Sequence, residues 1–273
     1  MSTNPGLDTT ALRALRTPPH DLTQIRARIA NHLETHDGYL ALSGGKDSLV
    51  VLDLARQVDP NVPVVYFDSG LEYPEAYTYL AHLQQLWRLN LDVIPASTPL
   101  LTILVTDGSW DHRAAEYRTP GIHQALIADP ASQAHDMYGP GELWGVRAAE
   151  SAGRQAAYAT ALKTHPCTCC PDNTTHKTRH GGLITRTDGT TAYGPIWNWT
   201  DDQVWAHIAR HQLPLNPVYD KLTAMGAPPD ALRISHLIDA NHLDHGRIVW
   251  LKRGWPDLYE RLHELLPRIS EHL

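Results

Sequence analysis

The sequence predicts a doubly wound α/β fold, with a mostly parallel sheet and a smaller helical part at its C-terminal end. Three observations carry this expectation. Short apolar runs near 38–42, 62–70 and 91–97 alternate with stretches of helical spacing. The connections between them are short, which suits parallel strands covered by helices on both faces. The run YLALSGGKDSLVVLDLA, residues 39–55, passes from a buried strand through a glycine-rich turn straight into a helix.

Taken in order, residues 1–20 read as a flexible N-terminus. In 21–36, Leu22, Ile25, Ile29 and Leu33 recur on one helical face, with Asp21 as N-cap. The strand 38–42 feeds the turn, and Asp47 to Gln57 forms the next helix. VPVVYFDSG is a second buried strand ending at Asp68, YPEAYTYLAHLQQLW a helix, and LDVIPAS a third strand. Residues 98–140 are less regular. Their Trp110, His112, Arg113, Tyr117 and Arg118 suggest a substrate-side loop. ELWGVRAAESAGRQAAYATAL reads as a fourth strand and its helix, and 163–192 as a Cys/His-rich excursion. Thr200 caps the following helix, with Gln203 at the capping-box position. From Ala231 the tail is amphipathic, with Leu251, Leu258, Leu262 and Leu265 as core. The expected organisation is one domain over 21–221 and a helical part over 222–273.

At 273 residues and 42% hydrophobic content the chain can bury a sizeable core. Thirty acidic against 23 basic residues, a formal charge of −7, argue against broad nucleic-acid binding. No apolar stretch is long enough to span a bilayer, and the N-terminus lacks the order of a secretory signal. The only three cysteines fall within CTCC and form no disulfide framework, so the cytoplasm is the expected location.

The turn Ser43-Gly44-Gly45-Lys46-Asp47-Ser48 suits phosphate. Glycines allow close approach of an anion, the next helix presents N–H donors, and Lys46 adds charge. The pattern GxxxxGK[ST] fails, because Leu40 and Asp47 stand where glycine and Ser/Thr are required. In a doubly wound sheet ligands lie beyond the carboxyl ends of the strands. Asp68 ends a strand there and could bind Mg²⁺; the alternative is a turn-capping aspartate. Glu72 and Glu75 are weaker candidates. Arg147 and Arg154 share a face if the segment between them is helical, and two guanidinium forks can grip a dianion. Glu150 and Ser151 would orient them; surface ion pairing is the alternative.

SGGKDS resembles the pyrophosphate loop, or PP-loop, of the ATP pyrophosphatase superfamily. VVYFDSGLEYPEAY, GVRAAESAGR and YGPIWNWTDDQVWAHIARHQLPLNPVYDK resemble stretches of phosphoadenylyl-sulfate (PAPS) reductases, so that roughly residues 35 to 221 are covered. The resemblance implies an adenine nucleotide alpha hydrolase-like sheet. It implies phosphate binding by Ser43, Gly44, Gly45, Lys46, Asp47 and Ser48, with Asp68 and Gly70 beside the nucleotide. It also implies catalytic roles for Lys46, Asp47, Asp68 and Arg147, substrate contacts from Arg147, Arg154 and Arg118, and ATP with Mg²⁺ held by Asp68. Trp199 and Trp205 are expected in the core.

The reductases carry a catalytic cysteine in a C-terminal tail of the Glu-Cys-Gly-Leu-His type, and no cysteine follows Cys170 here. The favoured expectation is therefore ATP cleavage to AMP and pyrophosphate, adenylating an acceptor for sulfur incorporation, as in DNA phosphorothioation systems. The alternatives are an APS/PAPS reductase-type enzyme, a tRNA thiolation enzyme and a nucleotide-binding module without turnover. The partners implied are a cysteine desulfurase, other modification proteins and, through them, DNA; no membrane is implied, and a homodimer is compatible. Cys167, Cys169 and Cys170 leave three readings open: sulfur transfer, which is favoured; zinc, with His165, His176 or His180 as a further ligand; or an incidental loop.

Overall fold

The computed structural model describes residues 9–107, 121–165, 167, 170–228, 231–234 and 247–273. Six strands form one sheet in the order β3-β2-β1-β4-β6-β5. They are β1 (Tyr39–Ala41), β2 (Pro63–Asp68), β3 (Asn90–Pro95), β4 (Gly141–Leu143), β5 (Leu183–Thr185) and β6 (Thr191–Tyr193). All neighbours are parallel except β5 and β6, which are antiparallel. Leu40, Leu42, Val64 and Tyr66 join the main core. Tyr39, Val65 and Ile94, which point the other way, meet Ala134 with Phe67 and Tyr138 packed beside them. Period-two alternation with apolar residues on both faces is what a helix-covered parallel sheet requires.

The twelve helices described are α1 (Thr9–Arg16), α2 (Thr23–His36), α3 (Lys46–Arg56), α4 (Pro74–Trp87), α5 (Leu100–Asp107), α6 (Asp129–Tyr138), α7 (Ala152–Thr164), α8 (Asn173–His180), α9 (Asp201–His211), α10 (Pro217–Ala224), α11 (Arg247–Gly254) and α12 (Pro256–Leu265). Helix α3 packs on β1, α2 and α9, while α6 packs on β1, β2 and β3. Asp21 accepts the Thr23 N–H at 2.9 Å from one residue before the N-cap, which is Leu22 and not Asp21 as expected, while Thr200 and Gln203 close the expected capping box on α9. Among the described residues no helix is long and apolar enough to cross a membrane.

Four expectations change. Within 1–20, Thr9–Arg16 form α1, which packs on α9. Residues 98–140 contain α5 and a π-helical turn, Gln124–Ala128, running into α6; Trp110, His112, Arg113, Tyr117 and Arg118 lie outside the described residues. The 163–192 excursion contributes α8, β5 and β6, and β6 is an interior strand of the sheet. Leu251, Leu258 and Leu262 are buried as expected, but Leu265 is 50% exposed. It stands three residues from Leu262, on the flank of a stripe that the core fills only in part.

The C-terminal helices share the main core: Leu251, Trp255 and Leu262 belong to the same cluster as Leu40. Glu75 anchors them, accepting from Lys221 Nζ at 2.8 Å and from Trp255 Nε1 at 2.7 Å. Its role is a tie between α4 and the C-terminal part.

Candidate functional site

From β1 the chain moves outward to β2 and β3, then returns to place β4 on the other side of β1. The connections leaving β1 and β4 therefore diverge and open a crevice at the carboxyl edge, the switch point where such sheets bind ligands. The turn Ser43–Ser48 leaves β1, and Gly145–Glu150 leaves β4. Both line a cavity of about 1190 Å³.

The turn is built by its own sequence. Gly44 takes φ +74°, in the left-handed region. Gly45, extended, is the residue before α3. Ser48 Oγ donates to the Gly45 carbonyl at 3.0 Å and accepts the Ser43 N–H at 3.2 Å, which closes the loop. Distant residues brace it: Tyr219 Oη accepts the Lys46 N–H at 3.0 Å, and the fully buried Asn216 reaches the Gly44 carbonyl at 3.4 Å. The N-terminus of α3, with its partial positive charge, thus opens on the cavity.

Beside the loop, four charges alternate in sign. Lys46 Nζ lies 2.8 Å from Asp47 Oδ2 and 3.0 Å from Asp201 Oδ1. Arg147 Nε donates to Asp47 Oδ1 at 2.6 Å, and its Nη2 lies 3.2 Å from Asp201 Oδ1. Arg147 Nη1 donates to the Trp199 carbonyl at 3.2 Å, and Trp205 Nε1 to Asp201 Oδ2 at 2.9 Å. Burial opposes ionisation of Asp201, but Lys46 and Arg147 outweigh it and hold this carboxyl below the usual range. Two cations and two carboxylates balance one another, so Arg147 can be almost fully buried.

The structure sorts the expected site residues. Ser43, Gly45, Lys46, Asp47, Ser48, Arg147 and Arg154 line the cavity. Arg147 and Arg154 do not share a helix: a 3₁₀ turn, Ala148–Glu150, and an extended Ser151 separate them. Arg147 is committed to protein acceptors and positions the loop. Arg154 is 43% exposed and ion-paired with Glu150, whose carboxylate also accepts the Arg147 N–H at 2.7 Å. Ser151 Oγ accepts the Arg154 N–H. Asp68 and Gly70 are not among the cavity-lining residues. Asp68 Oδ1 instead accepts the Gly70 N–H at 2.8 Å and the Tyr77 hydroxyl at 2.9 Å. That is the geometry of the turn-capping alternative; both bonds fall on Oδ1, and Oδ2 is the oxygen left to an Mg²⁺ ion. Trp199 is core; Trp205 is buried but also walls the cavity.

Sequence reasoning missed Asp201, Tyr219, Asn216 and Arg13 as site residues. Asp201 carried only the signal of an acid in a first helical turn, which needs no function. Arg13 comes from α1 and lines the cavity with its guanidinium 6.0 Å from the Trp205 ring.

Glu72 also lines the cavity and receives Ser69 Oγ at 2.6 Å. Burial first, then the neighbouring Asp68, push its carboxyl up to about 7. A carboxyl raised in the folded state contributes stability that is present below the ordinary value of 4.5 and lost as pH rises through about 7. Glu72→Gln should therefore gain on wild type between those limits, read from urea midpoints across the range. A difference independent of pH would mean that the carboxyl is ordinary.

Comparison with known proteins matches the same segments. The phosphoadenosine phosphosulfate reductase domain family matches residues 38–229. The chain is 26% identical over 213 residues to a phosphoadenosine 5'-phosphosulfate reductase of Synechococcus sp., covering 73% of this chain and 81% of that one. It is 26% identical over 189 residues to the protein of that name from Xanthomonas oryzae pv. oryzae, covering 68% and 67%. The crystal structure of PAPS reductase from Candida auris, in a phosphate complex, aligns with a TM-score of 0.50 at 16% identity, covering 83% of this chain and 95% of that one. At that identity the likeness is one of fold.

Proposed function

The chain belongs to the phosphoadenosine phosphosulfate reductase domain family, and from that premise we propose that it is a nucleotide-processing enzyme of the sulfonucleotide-reductase type. The observation that carries this reading is the Ser43–Ser48 loop and the α3 N-terminus opening, at the switch point, into a cavity that also holds Arg154. The relatives' shared name supports a phosphosulfate nucleotide over ATP as substrate, which favours the alternative of the sequence reading over its first choice.

The charge arrangement suggests how an anion enters. Lys46 is the cation whose partners can be exchanged. When its Nζ turns from Asp47 and Asp201 to a phosphate oxygen, both carboxylates keep Arg147, so neither is left without a cation. N–H groups at the α3 N-terminus hold the same anion. Arg154, tied to Glu150 alone among the described carboxylates, is free to turn toward a second anionic group such as the sulfate. Reduction then breaks the bond between sulfur and the bridging oxygen. Sulfite and the nucleoside bisphosphate leave as a dithiol is oxidised to a disulfide.

One observation favours the second reading, ATP cleavage to AMP and pyrophosphate. Among the described residues no cysteine lines the cavity. Cys167 and Cys170 lie beyond the far end of α7, whose 13 residues span about 20 Å. A thiol acting in the cavity would come from elsewhere, whereas ATP cleavage needs none.

Paired assays decide between the readings: sulfite release from PAPS or APS with thioredoxin, and pyrophosphate release from ATP with Mg²⁺. The first reading expects sulfite. Pyrophosphate without sulfite would replace it with the second. In either assay Lys46→Ala should weaken nucleotide affinity roughly tenfold or more, the worth of one charge-assisted contact, while the backbone donors remain. Wild-type affinity in that variant would remove Lys46 from the phosphate site.

A further inference from the structure

The Cys/His excursion lies at the sheet's β5 edge, away from the cavity, and the nucleotide reading makes no use of it. Helix α8 has the sequence NTTHKTRH, with no residue larger than threonine that is apolar and none that is buried. An eight-residue helix without an apolar face is marginal in water. Its N-cap, Asp172, and its contact with α7 are modest supports.

What surrounds it is a converging set of ligand atoms. Cys167 and Cys170 Sγ atoms are 3.5 Å apart, and Cys170 Sγ lies 3.7 Å from His180 Nε2. All three ligand atoms fall within 4.8 Å of one another, as do nitrogens of His165, His176 and His180. A tetrahedral zinc ion with ordinary bond lengths holds two sulfurs about 3.8 Å apart and a sulfur and a nitrogen about 3.6 Å apart. The observed separations match both. The order also reads Cys-x₂-Cys followed by His-x₃-His at Cys167, Cys170, His176 and His180, ligand types that suit structural zinc, with the five residues between the pairs a tighter spacing than usual.

We propose that Cys167, Cys170, His176 and His180 bind one structural zinc ion that fastens α8 to the end of α7. His180 is common to the two sets, and His176 is preferred to His165 as the fourth ligand on the orientation of its ring relative to that of His180. The His165 and His180 rings stack at 24°, so their in-plane lone pairs run nearly side by side and do not meet at one ion. The His176 ring is tilted from that of His180 by 48° and sits one helical turn away. His165 then covers the site as a packing residue. Four closed ligands leave no open position, so the centre is structural, and the two thiolates are withdrawn from sulfur transfer.

The test is metal content of the full-length protein purified from zinc-supplemented medium without chelator. The expected result is about one zinc per chain, falling about tenfold or more in Cys170→Ser, His176→Ala and His180→Ala, with His165→Ala close to wild type. Cobalt substitution should give a thiolate-to-cobalt charge-transfer band that Cys167→Ser weakens. Because variants can lose metal by failing to fold, the wild type is also stripped with chelator. Proteolysis should then cut within 165–180 and leave the sheet intact, and zinc should restore protection. Wild type with little zinc, iron in its place, a Cys167–Cys170 disulfide found by mass, or zinc retained in His176→Ala but lost in His165→Ala would each overturn the assignment.

Discussion

Arg147→Ala is expected to destabilise the protein by about 3 kcal/mol or more and to abolish measurable activity. The side chain is only 5% exposed and serves Asp47, Asp201 and the Trp199 carbonyl together. Truncation leaves two carboxylates sharing Lys46, with Asp47 the less able to recover water because it is 18% exposed against 50% for Asp201. The orphaned charge, more than the lost contacts, sets the cost. Arg147→Lys should restore only part of it, because an ammonium cannot span both carboxylates and the carbonyl as a planar fork does. Adding Asp201→Asn to the alanine variant should recover stability, giving a double-mutant coupling that a merely bulky residue would not show. Urea unfolding of these three variants and of Asp201→Asn alone, which completes the cycle, is the check. A loss below about 1 kcal/mol for Arg147→Ala would mean the four-charge cluster contributes little more than an exposed ion pair.

Gly145→Ala is expected to displace the Ser43–Ser48 loop itself. A Cβ at this position would lie 2.6 Å from Ser48 N, 2.8 Å from Asp47 C and 2.9 Å from Ser48 Cα. These are backbone atoms at the start of α3, so no side chain can swing aside. Either β4 withdraws or the helix N-terminus moves off the anion site. The cost should be about 3 kcal/mol, at the upper end for overpacking. Nucleotide affinity should fall further than in Lys46→Ala, since the backbone donors move along with the lysine. Unfolding and binding measured together provide the check. Wild-type values in both would mean that the end of β4 and the start of α3 are not in contact in solution.

The elements that could be read from the sequence are those with enough residues to show a period or with a recognisable turn beside them. Helices α2, α3, α4 and α9 and strands β1 to β3 fall where the apolar spacing puts them. Strands β5 and β6 have three residues each, as β1 does, but lack the glycine-rich turn and helix that mark β1, and β6 becomes interior only because β4 and β5 pair with it. Helix α5, LLTILVTD, begins as a nearly continuous apolar run, which periodicity alone does not assign. Leu265 matched the helical pattern of its neighbours and still faces water, because the pattern marks a stripe and the core covers only part of it.

By itself, the sequence determined the strand–turn–helix unit at 39–55 and marked it as a candidate anion site. Glycine backbone freedom, a helix N-terminus and an adjacent lysine act within a few residues of one another, so local order suffices to bring them together. Only the tertiary structure decided which charges share the site. Asp201, Tyr219 and Asn216 lie more than 150 residues from the loop they brace; they fall within the family-like stretch 193–221, but their residue types there read as ordinary capping or core residues. Tertiary structure also gave Asp68 a turn-capping contact and Arg147 two carboxylate partners, neither of which the sequence shows. A carboxylate or guanidinium has the same formula wherever it stands. Its role is set by which opposite charge burial forces it to meet, and that is settled by how the sheet and helices pack.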